Sequence, residues 1–176
     1  MKRISGLFLS VFILITACNE KNEKLFNKVD SSHSRIYFKN LLIDTPELNI
    51  LNYLYYYNGA GVVSADFNND GLTDLYFSSN QGEDKLYINK GGLKFEDVTK
   101  AAQIDNAGNW TTGVTHVDIN HDGLLDIYVC KVSNYRGLKG RNLLFINKGI
   151  DEKGIPRFSE EASSYGLGYS GLSTQA

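Results

Sequence analysis

Two acidic segments of nearly identical sequence constrain the fold of this 176-residue chain more than any other feature. They read DFNNDGLTD at 66–74 and DINHDGLLD at 118–126, and each places three aspartates and one asparagine at odd-numbered positions around a glycine. The similarity continues outside them: 61–80 resembles 113–132, 86–91 resembles 144–149, and 95–104 resembles 158–167. An internal repeat of about fifty residues predicts that each copy folds as the same supersecondary unit and packs on its neighbour.

Each copy carries the pattern of a small antiparallel sheet. Apolar and β-branched runs lie on both sides of the acidic segment, and Gly71 and Gly123 supply the turn between them. A third run, KLYIN or LLFIN, and a fourth extended piece, LKFEDV or PRFSEE, complete four strands, and a short helical or turn segment follows. We therefore predict an all-β fold made of antiparallel four-stranded blades of a β-propeller, with repeats at about 58–104 and 110–167.

The sequence predicts an incomplete propeller. Residues 171–176 have the pattern of a third copy that is beginning, whereas closed propellers contain about four to eight blades. The second copy is also longer than the first, by insertions near 134–142 and 151–157. We expect about two blades plus the start of a third, as in a truncated gene product or the N-terminal fragment of a longer protein. An assembly of several short chains is the alternative.

The acidic segments have the composition of calcium loops. Ca²⁺ takes six to eight hard oxygen ligands in a flexible geometry, whereas Mg²⁺ prefers fewer carboxylates and Zn²⁺ prefers His and Cys. The alternative is a pair of tight Asp/Asn/Gly turns that hold no metal. The sequence predicts two Ca²⁺ sites, with backbone carbonyls from Leu72 and Leu124 and side-chain ligands from Asp66, Asn68, Asp70 and Asp74 in the first loop and Asp118, Asn120, Asp122 and Asp126 in the second.

An EF-hand loop begins in the same way as these segments but ends differently. It places a bidentate acid at position 12 and continues into a helix. Position 12 is Phe77 in the first copy and Val129 in the second, and both lie inside strand-like runs. The sequence therefore excludes an EF-hand. The side chains of Leu72 and Leu124 are predicted to face the core of the blade.

The N-terminus has the layout of a bacterial lipoprotein signal. Lys2 and Arg3 precede an apolar run from residue 7 to residue 15, and ITAC at 15–18 resembles a lipobox. This predicts a signal peptide at 1–17, lipidation of Cys18, and anchoring of the protein to a membrane, as an outer-membrane or cell-surface lipoprotein. An ordinary secretory signal with an incidental cysteine is the alternative. Residues 18–34 are predicted to form a flexible tether, and 35–176 the partial propeller.

Charge and cysteine content exclude two further classes of protein. Without Lys2 and Arg3 the chain has 16 basic and 20 acidic side chains, a net charge of −4, which argues against a nucleic-acid partner. Lipidation of Cys18 leaves Cys130 as a lone thiol at the end of an apolar strand-like run. We expect that thiol to be buried and inert, and we expect no disulfide framework.

The repeated loops and their flanking strands resemble the VCBS/FG-GAP repeat proteins. Blades of that family carry a D-x-[DN]-x-D-G-x-x-D calcium hairpin, which also occurs in the N-terminal propeller of integrin α chains. Residues 47–99 are especially similar to the start of long VCBS-repeat lipoproteins of Bacteroidota, several of which resemble ASPIC/UnbV-type proteins. The Phe-Gly and Gly-Ala-Pro signatures are missing, and YNGAGV at 57–62 stands roughly in place of the latter. The resemblance implies that the calcium ligands carry over residue by residue.

The sequence favours a binding module over an enzyme. Calcium in such a hairpin is expected to be structural, so recognition of a glycan or a protein would fall to the surfaces that the blades present. The alternatives are a fragment of a propeller-type polysaccharide-degrading enzyme and a truncated product without independent function. Neither the histidines nor the recurring acids form an evident catalytic set; they are His33, His116 and His121, and Glu96, Asp97, Glu160 and Glu161.

Two further segments have two interpretations each. YLYYY at 53–57 fits either a stacking platform for sugars or, as we expect, an aromatic strand packed between blades. A basic group around the first insertion fits either an acidic glycan site or, as we expect, a solvated loop; it comprises Lys131, Arg136, Lys139 and Arg141.

Overall fold

The structure is a computed structural model that describes residues 24–104 and 110–175. The predicted signal peptide at 1–17 and Cys18 lie outside the described residues. Within the two described ranges, no helix is long and apolar enough to cross a membrane.

Two four-stranded antiparallel sheets make up the fold. A single helical turn, α1 (Ser31–Ser34), precedes them. The first sheet has the order β1-β2-β3-β4 and the second has the order β5-β6-β7-β8. Their bounds are β1 Val62–Ala65, β2 Asp74–Phe77, β3 Lys85–Asn89, β4 Phe95–Asp97, β5 Thr111–Val117, β6 Asp126–Lys131, β7 Leu143–Ile150 and β8 Pro156–Glu160. The prediction of an all-β fold built from four-stranded antiparallel blades is confirmed.

Each acidic segment joins the first two strands of its sheet as a hairpin. Ala65 pairs with Asp74 in the first sheet, and Val117 pairs with Asp126 in the second, so each loop closes on its own ninth residue. The third strands lie inside their sheets, and their central residues are buried, Leu86–Ile88 in β3 and Leu144–Asn147 in β7. Position 12 of both loops lies in a strand, as the exclusion of an EF-hand requires.

The two sheets pack face to face on one apolar core. That core combines side chains of both repeats, and the rings of Phe67 and Phe158 meet across it at 6.2 Å in an edge-to-face arrangement. Cys130, at the end of β6, is 1% exposed, and burial raises the pKa of its thiol, in agreement with the expected inert cysteine. A four-stranded sheet cannot bury both of its faces alone, and each blade here covers a face of the other.

The innermost strands approach each other closely at an equivalent glycine of each repeat. A Cβ on Gly61 would lie 2.7 Å from the amide nitrogen of Val114, and a Cβ on Gly113 would lie 2.6 Å from the carbonyl oxygen of Thr174. Gly61 thus packs on β5, and Gly113 packs on the segment 171–175. Successive repeats therefore contact each other through the same position, as the blades of a propeller do.

The segment before the first sheet lies against the first blade. The ring of His33 in α1 contacts the carbonyl of Gly92 at 2.8 Å, so the end of the segment predicted as a tether is folded onto the first repeat. Further along, Asn40 exchanges hydrogen bonds with Asn80 at 2.7 and 3.0 Å. These contacts fix the path of the N-terminal segment over the first blade.

The prediction of an aromatic strand at 53–57 is wrong, because these residues form consecutive turns. The amide of Tyr56 donates to the carbonyl of Tyr53 at 2.9 Å, which places the two rings on one side of the chain. Both rings are buried against Trp110, at centroid distances of 5.4 Å for Tyr53 and 5.1 Å for Tyr56. Tyr55 and Tyr57 stay exposed. Burial thus recurs about every three residues along this segment, and not at every second residue as in a strand.

The insertions of the second repeat are folded onto their surroundings. In the first insertion, the hydroxyl of Tyr135 donates to the carbonyl of Asn52 at 2.6 Å, and the guanidinium of Arg141 pairs with the carboxylate of Glu160. In the second insertion, Arg157 pairs with Asp151 at 2.8 Å. The expectation of a solvated basic loop is therefore met only in part, because Tyr135 and Arg141 bind the first insertion to neighbouring residues.

Candidate metal centre

The first acidic loop wraps around the carboxylate of its first aspartate. The amides of Asp70 and Gly71 donate to the two oxygens of Asp66 at 3.1 and 2.8 Å. Asn69 and Gly71 have positive φ angles of 56° and 83°, and this reversal lets both amides point inward. Asn tolerates the left-handed conformation and Gly adopts it without strain, so the sequence dictates this turn.

The second loop repeats this arrangement residue for residue. The amides of Asp122 and Gly123 donate to the oxygens of Asp118 at 3.1 and 3.0 Å. His121 and Gly123 have φ angles of 60° and 83°. His121 thus occupies the turn position of Asn69 and contributes its backbone conformation to the loop. Two independent loops with the same internal hydrogen bonds indicate one conserved local design within the chain.

The ninth residue of each loop is a buried clamp between strands. The oxygens of Asp74 accept the amides of Phe67 at 2.9 Å and of Asn89 at 2.8 Å. In the second loop, Asp126 accepts the amides of Ile119 and Asn147 in the same way, at 3.1 and 2.8 Å. Each clamp joins its loop to the third strand of its sheet.

Burial and neighbouring charge both act on the clamp carboxylates. Burial raises the pKa of Asp74 to about 6, the charges of Asp70 and Asp66 add to the rise, and the amide hydrogen bonds oppose it. The pKa of Asp126 is raised for the same reasons, with Asp122 and Asp118 as the charged neighbours. Three carboxylates in a small loop thus disfavour full ionisation unless positive charge is supplied.

The remaining predicted ligands lie in the same two loops. The side-chain amide of Asn68 donates to Asp70 at 3.0 Å, and that of Asn120 donates to Asp122 at 2.8 Å. Leu72 is 38% exposed and Leu124 is partly exposed, so the expectation that these side chains face the blade core is wrong. Leu72 and Leu124 directly follow the turn glycines, Gly71 and Gly123.

The oxygen donors of the loops fit calcium in type. Each carboxylate oxygen has two lone pairs, so the amide bonds on Asp66 and Asp74 leave acceptor capacity for a cation. Among the described residues, no three Asp, Glu, His or Cys side chains converge closely enough to form a metal cluster, and the carboxylates are held by loop amides instead. Asparagine and backbone carbonyl oxygens complete a calcium loop, so the donor set remains suitable for a hard cation.

The two loops lie side by side at one edge of the paired blades. The side-chain amide of Asn69 donates to the carbonyl of Gly123 at 3.4 Å, and the buried amide of Asn147 donates to the carbonyl of Phe67 at 2.9 Å. Asn68 also reaches the carbonyl of Gly154 in the second repeat, at 3.2 Å. The loops therefore form part of the contact between blades as well as the turns within them.

A buried charged cluster lies between the blades, and the sequence alone does not predict it. Asp84 of the first repeat and Lys131 of the second are both buried, and Lys131 is only 2% exposed. The carboxylate of Asp84 accepts the amide of Ser79 at 2.7 Å and the hydroxyl of Tyr76 at 3.0 Å. Lys131 donates to the hydroxyl of Thr111 at 3.2 Å. Lys131 therefore does not belong to the exposed basic group in which the sequence placed it.

Burial shifts the pKa values of Asp84 and Lys131 in opposite directions, and the charge of each group opposes the shift of the other. Burial raises the pKa of Asp84 to about 6, and the charge of Lys131 opposes the rise. Burial lowers the pKa of Lys131, and the charge of Asp84 opposes that change. The repeat alignment held a signal for this pair, since Asp84 corresponds to Asn142 and Lys131 corresponds to Ser79. Each of these two positions is charged in one copy and neutral in the other, and the two charges have opposite signs.

The histidines and recurring acids are distributed over separate surfaces. His33 contacts Gly92, whereas His116 lies on β5 and His121 in the loop tip. The recurring acids pair with nearby bases: Glu96 with Lys90, Asp97 with Lys85, Glu160 with Arg141, and Glu161 with Lys148. The structure gives these acids electrostatic partners on the blade surface.

Comparison with known proteins supports the nature of the repeat. Residues 66–129 match the model of the FG-GAP-like repeat family, from the first acidic loop through the second. This stretch of the chain is therefore similar to an FG-GAP-like repeat. The chain is 27% identical over 108 residues to cartilage acidic protein 1 of Xenopus tropicalis, which covers 61% of this chain and 16% of that protein.

Two integrin chains are also similar to part of this chain. Integrin alpha-PS5 of Drosophila melanogaster is 35% identical over 83 residues, and integrin alpha-PS3 of the same organism is 32% identical over 83 residues. Each alignment covers 42% of this chain, and 8% and 7% of the respective integrins. The chain therefore spans less than a fifth of the length of the curated relatives that it matches.

Proposed function

We propose that this chain is a calcium-stabilised recognition module of a cell-envelope lipoprotein, and that its ligand is a glycan or a protein. The observation that carries the proposal is the pair of acidic loops, which have the same internal hydrogen bonds and lie side by side between two FG-GAP-like blades. A β-propeller-like module of this kind presents loops and faces for recognition. The lipid anchor at Cys18 and the position at the cell surface belong to the same proposal.

Calcium would be held by the loop aspartates and asparagines and by the backbone carbonyls of Leu72 and Leu124. It would supply positive charge among the carboxylates of each loop and would stabilise the hairpin between the first two strands. The protein's own contribution is the reversed turn at Gly71 or Gly123, which gathers the donors, and the buried clamp that ties the loop to the sheet. This role is structural, and we propose no catalytic step.

Removal of calcium is expected to lower the melting temperature. If the sites bind with the roughly 10⁻⁴ to 10⁻³ M affinity of extracellular modules, Ca²⁺ at ten times Kd stabilises each by about 1.4 kcal/mol. That corresponds to a shift of roughly 3–5 °C per site, measured by thermal unfolding with Ca²⁺ or with a chelator. Asp70→Ala and Asp122→Ala should each remove the part of the calcium-dependent rise in melting temperature that comes from one site. Glu47→Gln changes an exposed acid outside the loops and should leave the rise unchanged. Equal melting temperatures with Ca²⁺ and chelator would contradict the calcium proposal.

Calcium binding to the first loop is expected to weaken as the pH falls through 6. The pKa of Asp74, raised by burial to about 6, means that a proton occupies this carboxylate in acid and competes with the cation. The affinity should fall about tenfold per pH unit below 6 when one proton is displaced.

The metal-free protein should show the opposite slope. A carboxyl whose pKa is raised in the folded state stabilises the fold below its ordinary pKa of 3.8, and that contribution is lost as the pH rises through 6. Thermal unfolding between pH 4 and pH 7, with and without Ca²⁺, distinguishes the two trends. An unchanged calcium affinity from pH 7 to pH 5 would show that Asp74 is not a ligand.

The recognition part of the proposal is tested by a binding screen. Immobilised cell-envelope polysaccharides and surface proteins are the appropriate probes, and each saccharide that binds should also be assayed for cleavage. Binding without turnover is the expected result. Turnover of any polysaccharide would overturn the assignment of a non-catalytic module.

A further inference from the structure

A pocket of about 400 Å³ opens where the innermost strands of successive repeats begin. Its walls come from three equivalent places in the fold, namely residues 58–62 before and at the start of β1, residues 112–114 in β5, and residues 174–175. Tyr53 and Tyr55 close one side. The metal loops lie at the far ends of these strands, since Asp66 follows the end of β1 and Asp118 follows the end of β5.

Among the described residues, the lining of this pocket is polar and carries no charged side chain. The side chains of Asn58 and Gln175 offer donors and acceptors, and Tyr55 is 57% exposed. The hydroxyl of Thr112 donates to the carbonyl of Ser173 at 2.7 Å, so it offers an acceptor. Pockets that bind charged ligands place a compensating charge or a built anion cradle among their walls. This composition therefore selects an uncharged ligand rich in hydroxyl groups.

The backbone of β1 adds further polar groups at the pocket edge. Gly61 exchanges hydrogen bonds with Ser78, donating to its hydroxyl at 2.7 Å and accepting its amide at 2.9 Å. Hydrogen-bonded pairs alternate along an antiparallel ladder, so the N–H and C=O of Val62 point away from β2. They face the inner edge of the sheet, where Val62 lines the pocket.

The aromatic wall is held in place by buried neighbours. The ring of Tyr55 packs edge-to-face on Tyr53 at 5.9 Å, and Tyr53 packs in turn on Trp110 at 5.4 Å. The carbonyl of Tyr55 accepts the amide of Asn58 at 3.2 Å, which closes the turn that carries both residues. A fixed aromatic face beside hydrogen-bonding groups is the combination that sugar rings require, because their C–H face is apolar and their rim is polar.

We propose that this pocket binds a neutral saccharide, with the ring of Tyr55 stacked on a sugar ring and Asn58, Thr112 and the Val62 backbone hydrogen-bonded to its hydroxyls. The proposal rests on the recognition function above and names its ligand class and its site. It also restores the stacking role for part of the segment 53–57: the buried Tyr53 and Tyr56 support the segment, and the exposed Tyr55 contacts the ligand.

The test is a set of titrations of the whole chain in Ca²⁺ with short neutral oligosaccharides, namely gluco-, manno-, galacto- and xylo-oligosaccharides, and with acidic oligogalacturonate as a contrast. Calorimetry gives Kd at 50 mM and at 500 mM NaCl. We expect binding of at least one neutral oligosaccharide, with less than about a twofold change of Kd between the two salt concentrations, because none of the described residues that line the site has a charged side chain.

Tyr55→Ala should weaken that binding at least about tenfold, whereas Tyr57→Ala should leave it within about twofold. Tyr57 is the matched control, because it is equally exposed, at 61%, and lies two residues away but does not line the pocket. Val62→Trp, which fills the pocket from an exposed strand position, should abolish binding while Ca²⁺ still raises the melting temperature.

Several outcomes would overturn the inference. These are the absence of binding to every neutral oligosaccharide, binding only to the acidic one, and neutral binding that Tyr55→Ala and Val62→Trp leave intact. In the last case the protein still recognises a glycan, so the proposed function survives while the site assignment fails. If Ca²⁺ no longer raises the melting temperature of a variant, the fold of that variant is altered. The difference in saccharide affinity between Tyr55→Ala and Tyr57→Ala then decides whether Tyr55 contacts the ligand.

Discussion

Asp84→Asn is expected to lower the free energy of unfolding by about 3–5 kcal/mol, because it removes the carboxylate that faces the buried ammonium of Lys131. The amide keeps the shape of the carboxylate and one acceptor for the amide of Ser79. The loss therefore reports the charge and not the packing. Urea unfolding followed by Trp and Tyr fluorescence measures the change in midpoint at a constant slope.

The second repeat supplies the control for this experiment. It has Asn142 at the position of Asp84, and there the asparagine accepts the amide of Lys131 at 2.9 Å and donates to the hydroxyl of Tyr128 at 2.9 Å. An asparagine is therefore compatible with the local backbone. Adding Lys131→Met to Asp84→Asn should recover much of the lost stability, since no buried charge remains. A cost below about 1 kcal/mol for Asp84→Asn alone would contradict a charged pair between the blades.

Trp110→Ala is expected to cost about 3–5 kcal/mol, the range for a fully buried large aromatic side chain. Its ring joins Tyr53 and Tyr56 of the N-terminal segment to Val132 of the second repeat. The variant should also expose residues 48–57 to protease and weaken saccharide binding, because Tyr55 loses its support. Chemical unfolding, limited proteolysis and calorimetry measure the three effects.

Trp110→Phe separates packing from hydrogen bonding at the same site. The indole N–H of Trp110 is buried without a hydrogen-bond partner among the described residues. Its removal therefore sacrifices no bond, and part of the lost packing is offset by relief of an unsatisfied donor. We expect phenylalanine to cost well under half of what alanine costs. Equal losses for the two variants would mean that the indole edge itself, and not the aromatic ring, holds the cluster together.

The sequence was sufficient to predict the blades and the two loops. Repetition, alternating apolar residues and glycines that accept positive φ are local signals, and Gly71 and Gly123 adopt the predicted turn at 83° each. The FG-GAP-like match covers the same loops. Fold class and the position of the acidic residues were therefore readable from local chemistry.

Features that depend on contacts between repeats were not readable in the same way. Lys131 looks like one more surface base in the sequence, and only the packing of β6 against the first blade brings it to Asp84. Tyr53–Tyr57 has the composition of a strand, yet burial of every third ring against Trp110 makes it a series of turns. Tertiary packing overrode β propensity there, as it does wherever burial competes with a weak intrinsic preference.

The close approach at Gly61 and Gly113 has a consequence for how such a chain acquires its structure. Each glycine has its packing partner in the repeat that follows, Val114 for Gly61 and Thr174 for Gly113. A newly synthesised repeat therefore has its hairpins but lacks the surface on which its glycine packs. It becomes rigid only when the next repeat has been synthesised. Order advances along the chain from the N-terminus, because each blade completes the packing of the blade before it.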